Sequence, residues 1–196
     1  MKKALLMLGI LFISVMTTAC INNFAVQELN NKAKIFMEQG DYQNAIERLK
    51  SGIDLDPTVF ETHYNLAVAY TKAEDYSNAV KSYNDAIKLK PDFADSYYSL
   101  AVCEENLAGD ILNSTVKINE DGNIVKNDLK DNNETDVDKK LSENDYNYII
   151  ELLQSSIKHY QTYLEKSSSA PDKEEVIAKT DELNKRIEEL GKKEAD

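Results

Sequence analysis

The residues that could do chemistry in this 196-residue chain are few and widely spread. Its histidines are His63 and His159, and its cysteines are Cys20 and Cys103. A structural zinc site takes four Cys and His ligands at short spacings, so this set all but excludes one. General acid–base work needs a histidine or carboxylate held within hydrogen-bond reach of a substrate. His63 and His159 are far apart, and each falls on a helical stretch where an aromatic or polar residue would serve equally. Glycine-rich phosphate loops, Gly-x-Ser-x-Gly and His-Glu-x-x-His are absent. The 35 Asp and Glu exceed the 23 Lys and Arg, but they spread over helix faces as solvated surface and single out no acid–base pair. A loop centred on Gly122 has calcium-loop spacing, yet its first ligand position would be Lys117, which cannot coordinate a cation, and its last Asp128. The expectation is a protein that is not an enzyme and holds no cofactor and no metal. A hydrolase with a site in the acidic stretch after residue 109 has only charge behind it. The net charge of −12 also argues against nucleic acid, whose phosphates are neutralised by clustered Lys and Arg.

The first twenty residues belong to sorting. Lys2 and Lys3 precede an apolar run from Ala4 to Met16, too short for a bilayer span of ~20 residues and suited to the apolar region of a signal peptide. The run ends in Thr17-Thr18-Ala19-Cys20. This resembles the lipobox of bacterial lipoproteins, where a small residue precedes the cysteine that is lipidated and becomes the new N-terminus. Ala19 and Cys20 fit, whereas Thr17 stands where an aliphatic residue is usual. The resemblance implies an exported protein, lipid-anchored through Cys20 to a bacterial membrane of the cell envelope. The alternative is an ordinary secretory signal cut after Ala19. Loss of residues 1–19 removes two lysines and no acid, taking the net charge from −12 to −14. Cys103 is then the remaining thiol and reads as a small buried hydrophobe in the helical run Tyr97–Leu107. Without a disulfide, stability must come from packing.

The elements that would position any site follow a period of 34 residues. Asp41-Tyr42 recurs as Asp75-Tyr76, Asn44-Ala45 as Asn78-Ala79, Ile53 as Ile87, Leu55 as Leu89 and Pro57 as Pro91. Ala33, Ala67 and Ala101 form a threefold series. Each unit reads as helix, tight turn and second helix, closed by a proline that cannot continue the helix. The pattern resembles the tetratricopeptide repeat (TPR) family. Ala33, Ala67 and Ala101 hold the small place on the first helix, and Phe36, Tyr70 and then Glu104 the aromatic place. On the second helix Ala45, Leu49 and Gly52 are followed by Ala79, Tyr83 and Ala86. Leu29, His63 and Tyr97 stand where the family opens with Trp.

The resemblance implies an all-α, TPR-type helical-hairpin solenoid of about three repeats. The expected organisation is a lipoprotein signal peptide at 1–19, a short tether at 20–25, and repeats 1, 2 and the first helix of 3 over 26–108. A polar acidic insertion follows at 109–143, rich in Asn and Asp and too poor in apolar residues for a core. It is expected to be disordered or to hold a small β-hairpin between Val116 and Val125 around Asp121-Gly122. Helix resumes at 144–166 as the second helix of the split third repeat, in which Ser156 and Tyr160 take the small and aromatic places and Tyr163 stands where a small residue is usual. Pro171-Asp172 opens a C-terminal capping helix over 171–191, which Gly191 should stop.

Such an array offers a concave face lined by its first helices. In this register the face carries Asn30, Lys34 and Met37, then Tyr64, Asn65 and Val68, then Tyr98, Ser99 and Val102. Tyr64 and Tyr98, one repeat apart, suggest an aromatic ladder suited to a peptide, or else rings packed on a neighbouring hairpin. A subset of the family grips a peptide's terminal carboxylate with Lys, Arg and Asn on these helices. Asn65 matches one such place, and Asn30 and Lys34 partly resemble others, but Asp95 and Ser99 stand at the basic places of the third repeat. An acid there repels a carboxylate, so that function is not carried over. The expected partners are a protein or peptide segment and, through lipidated Cys20, a membrane. The expected function is a lipid-anchored adaptor or scaffold at the cell envelope. The alternative is a structural subunit of an envelope assembly machine, in outer-membrane protein assembly or pilus biogenesis.

Overall fold

The computed structural model describes residues 23–119, 123–126, 141–167 and 171–194. The expected signal peptide, Cys20 and the greater part of the acidic stretch lie outside the described residues. The architecture is all-α with TPR-type hairpins, and the chain forms two compact units, Met1–Asp75 and Tyr76–Asp196.

The N-terminal unit contains α1 (residues 23–38), α2 (Tyr42–Leu55) and α3 (Phe60–Lys72). Its helices meet at small residues: Ala33, Ala45 and Ala67 have no exposed surface. At Gly52 the approach is tighter still, since an added Cβ would stand 3.1 Å from Thr62 Cγ2. Larger side chains, Leu49, Leu66 and Tyr70, fill the space beside these contacts. The turn from α1 to α2 is closed by Asp41 N–H donating to Phe36 O and Gly40 N–H to Met37 O. That pattern puts Gly40 at φ +75°, where glycine is at ease. Asp41 then caps α2, accepting from Asn44 N–H at 3.2 Å and from Asn44 Nδ2 at 2.6 Å. These hydrogen bonds hold the Asp41 carboxyl below its ordinary range.

The C-terminal unit contains α4 (Tyr76–Leu89), α5 (Ala94–Leu112), a hairpin of β1 (Val116–Ile118) and β2 (Ile124–Lys126), α6 (Glu143–Lys166) and α7 (Lys173–Glu194). The third repeat is split as its periodicity implies. α5 and α6 pair across the insertion, with Ser156 Oγ donating to Ala101 O at 2.8 Å and Leu100, Leu107, Ile149 and Leu153 fully or almost fully buried along the seam. Ser142 and Asp145 cap α6 reciprocally, each side chain bonding the other's backbone N–H. The β-strands pair antiparallel, with Val116 opposite Lys126 and Ile118 opposite Ile124. Val116 and Ile124 pack on the unit's core, so this part of the insertion contributes to packing.

Two expected boundaries are corrected. The first helix of the third repeat does not end at 108 but runs through Gly109 to Leu112. The extra turn carries Ile111, which is almost completely buried in the unit's core. The turn that closes the first two first-helices recurs six residues late: Thr115 N–H donates to Asp110 O and Ser114 N–H to Ile111 O. Gly191 does not stop α7, which continues to Glu194. Buried Leu190 anchors the last turn, and a helical glycine costs only about 1 kcal/mol relative to alanine.

Candidate functional site

The predicted face residues fall into both units. In the N-terminal unit, Asn30 is committed to structure. Its amide donates to Val26 O at 3.0 Å and Thr62 Oγ1 at 2.8 Å, while its oxygen accepts from Asn65 Nδ2 at 3.0 Å. Asn30 and Asn65 therefore tie α1 to α3, and Asn30 has no amide proton left for a ligand. Lys34 is exposed, and Met37 and Val68 are half-buried. Tyr64 lies against Phe60, ring centroids 5.8 Å apart. Tyr98 and Val102 belong to the C-terminal unit, so a two-rung tyrosine ladder is a feature of neither unit taken alone.

In the C-terminal unit Tyr98 and Val102 line a cavity of about 550 Å³ walled by α5, α6 and α7. α5 also supplies Glu105, α6 supplies Tyr160, and α7 supplies Glu175, Val176, Lys179 and Glu182. The floor is aromatic. Tyr98 meets Tyr160 edge-on at 5.6 Å and lies 5.2 Å from the Tyr163 ring. Tyr163, at the place of a small residue, is buried, and its hydroxyl donates to Asp172 Oδ1 at 2.8 Å. Its ring thus joins the start of α7 to the floor. The charged wall is organised by Lys179, whose Nζ lies 2.7 Å from Glu105 and 3.4 Å from Glu182. The Glu105 hydrogen bond raises the Lys179 ammonium above its usual value, against the opposing effect of burial. Burial raises the Tyr98 phenol first, and Asp172, Glu175 and Glu105 add to it. Burial likewise pushes the Tyr160 phenol far upward, helped by Glu105. The cavity therefore combines apolar ring surface with a negative wall. Lys179 is a candidate that the repeat register misses, because it lies on the capping helix α7, and Tyr160 is one that the register places only as a packing aromatic.

The histidines serve the fold. His63 Nε2 lies 2.9 Å from Pro57 O, and one repeat later Tyr97 Oη donates to Pro91 O at 3.0 Å. His159 Nδ1 sits 2.8 Å from Glu104 Oε2, and Ser155 Oγ donates to Glu104 Oε1 at 2.8 Å. This set explains how a carboxylate occupies the aromatic place of the third repeat. Ser155 does not point its hydroxyl to the histidine, so no nucleophile–base pair is formed. Among the described residues no group of His, Cys, Asp and Glu is placed to hold a metal. No helix among them is long and apolar enough to cross a membrane.

The TPR repeat family matches residues 33–73, and the tetratricopeptide repeat family matches residues 60–93. Residues 33–93 thus carry recognisable TPR repeats. None of the curated proteins matches this chain. Among solved structures, the first TPR of Spaghetti (RPAP3) bound to the HSP90 peptide SRMEEVD is 17% identical, with a TM-score of 0.55 over 83% of this chain and 93% of that one. The first TPR domain of human RPAP3 is also 17% identical, with a TM-score of 0.55 over 86% and 96%. The second TPR domain of human RPAP3, in complex with the HSP70 peptide SGPTIEEVD, is 15% identical, with a TM-score of 0.55 over 83% and 98%. The likeness is one of fold.

Proposed function

We propose that this chain is a protein–protein interaction adaptor, anchored through lipidated Cys20 at a bacterial cell envelope, which holds a peptide segment of its partner in the α5–α6–α7 groove. The observation that carries the reading is the groove itself: half-buried Tyr98 and Val102, backed by Tyr160, present rigid contact surface beside hydrogen-bonding and charged groups, the mixture that peptide recognition uses. TPR domains of similar fold bind short peptides of HSP90 and HSP70, which supports the class of ligand and not its identity. The resemblance of Thr17-Thr18-Ala19-Cys20 to a lipobox supports the location.

Crosslinking and pull-down from native membranes tests the adaptor role. The wild type should capture a partner that Tyr98→Ala loses. A synthetic segment of that partner should then compete at micromolar concentration, as transient peptide contacts of about 8 kcal/mol do. Equal capture by wild type and Tyr98→Ala, with α-helical circular dichroism unchanged, would remove the groove from the mechanism. A partner that co-purifies stoichiometrically and resists competition would instead favour a structural subunit.

A further inference from the structure

Resting on the peptide-groove reading, we infer that the groove selects a cationic segment, one that places a Lys or Arg side chain over the Tyr98 ring and between the Glu105 and Glu182 carboxylates. Those carboxylates and Glu175 line the cavity against one cation, Lys179. Lys179 already occupies the position such a side chain would take: its Nζ sits between Glu105 at 2.7 Å and Glu182 at 3.4 Å, on a side chain about one-third exposed. It acts as an internal stand-in for the ligand, and an incoming ammonium or guanidinium exchanges with it. Nothing is left uncompensated in either state, because Lys179 is exposed enough to turn into solvent while the carboxylates keep a counter-ion. The half-buried Tyr98 ring, backed by buried Tyr160, offers its open surface to the aliphatic stem and to the cation. A carboxylate-bearing segment meets the opposite outcome, since Glu105, Glu175 and Glu182 repel it. The acidic peptides held by the RPAP3 domains are therefore the wrong charge for this groove.

The test uses fluorescein-labelled peptides built on one apolar scaffold, carrying Lys, Gln or Glu at alternating positions, and titrated against the full chain purified in detergent. Anisotropy gives affinity, and competition between wild type and Tyr98→Ala shows that the groove is the site. The Lys peptide should bind at least tenfold tighter than the Glu peptide, and the gap should shrink with salt. Lys179→Gln, which removes the internal competitor, should tighten Lys-peptide binding about threefold to fivefold. Glu175→Gln with Glu182→Gln, both at exposed positions, should weaken it by a similar factor. Groove-dependent binding with no preference for Lys, or a preference for Glu, overturns the cation assignment and leaves the groove standing. Loss of binding in Lys179→Gln also overturns it. Spermine competing as well as the Lys peptide overturns the peptide as occupant. Failure of all three peptides to bind removes the groove reading together with the inference.

Discussion

Pro57 and Pro91 end their repeats, and each has a carbonyl that accepts from a side chain of the next helix. His63 and Tyr97 do this from equivalent positions, at 2.9 and 3.0 Å. The two side chains differ in chemistry but share a donor at the end of a flat ring. His63 is 8% exposed and Tyr97 half-buried, so the bond at Pro57 is the more sheltered. His63→Ala should therefore destabilise by about 1–2 kcal/mol, through the lost hydrogen bond and the lost ring packing. His63→Tyr should restore most of that loss, because Tyr97 already shows a phenol in this role. Urea unfolding of the three proteins measures it. A His63→Ala variant as stable as wild type would show that the bond is incidental, and a Tyr variant worse than Ala would show that the two repeats are not equivalent there.

At the scale of the element, the turns after the first helices are built alike but from unlike residues. Gly40 at φ +75° has its repeat counterpart in Glu74 at φ +56°, and both carry the same pair of closing hydrogen bonds. An L-residue in the left-handed region costs about 1–2 kcal/mol, partly offset by glycine's greater freedom in the unfolded chain. Glu74→Gly should accordingly stabilise by about 0.5–1 kcal/mol, and Gly40→Ala should destabilise by about 1 kcal/mol. Thermal melts of both variants check the pair, and opposite signs are the decisive outcome. These turns also show what was legible in the chain. The 34-residue period fixed the hairpins, the small-residue contacts and the pairing of α5 with α6, because apolar spacing and proline are local signals. The extra turn of α5 was hidden, since residues 109–112 open the polar insertion and only the packed core of the unit buries Ile111. The wall of the groove was hidden for a related reason. Lys179 and Glu105 are distant in sequence and each looks like solvated surface, and only the packing of α7 brings them to 2.7 Å.

Across the molecule, the C-terminal unit concentrates groups that must stay protonated. Burial foremost raises the phenols of Tyr98, Tyr148, Tyr160 and Tyr163, and the Glu105 hydrogen bond raises Lys179. Each folded value lies above its unfolded one, so each contribution to stability is whole below about pH 10 and is lost as pH rises through the folded values. Alkaline unfolding should therefore begin above about pH 10, with the tyrosinate absorbance of these residues appearing together with loss of helix. Tyrosines that ionise fully while the helices persist would contradict the burial. At the other end of the chain, the α1 helix begins at residue 23 in the described structure, only a few residues from Cys20. A lipid placed there would hold the folded part close to a membrane surface. One acyl chain gives only marginal attachment and more than one gives stable attachment, so labelling and fractionation should agree. Cells grown with radiolabelled fatty acid should incorporate label into wild type and not into Cys20→Ala, and only the wild type should stay with the membrane. Equal labelling of both would end the lipoprotein reading. Label in neither, with the mature chain beginning at Cys20, would establish the ordinary secretory signal instead and leave the groove to work free of any anchor.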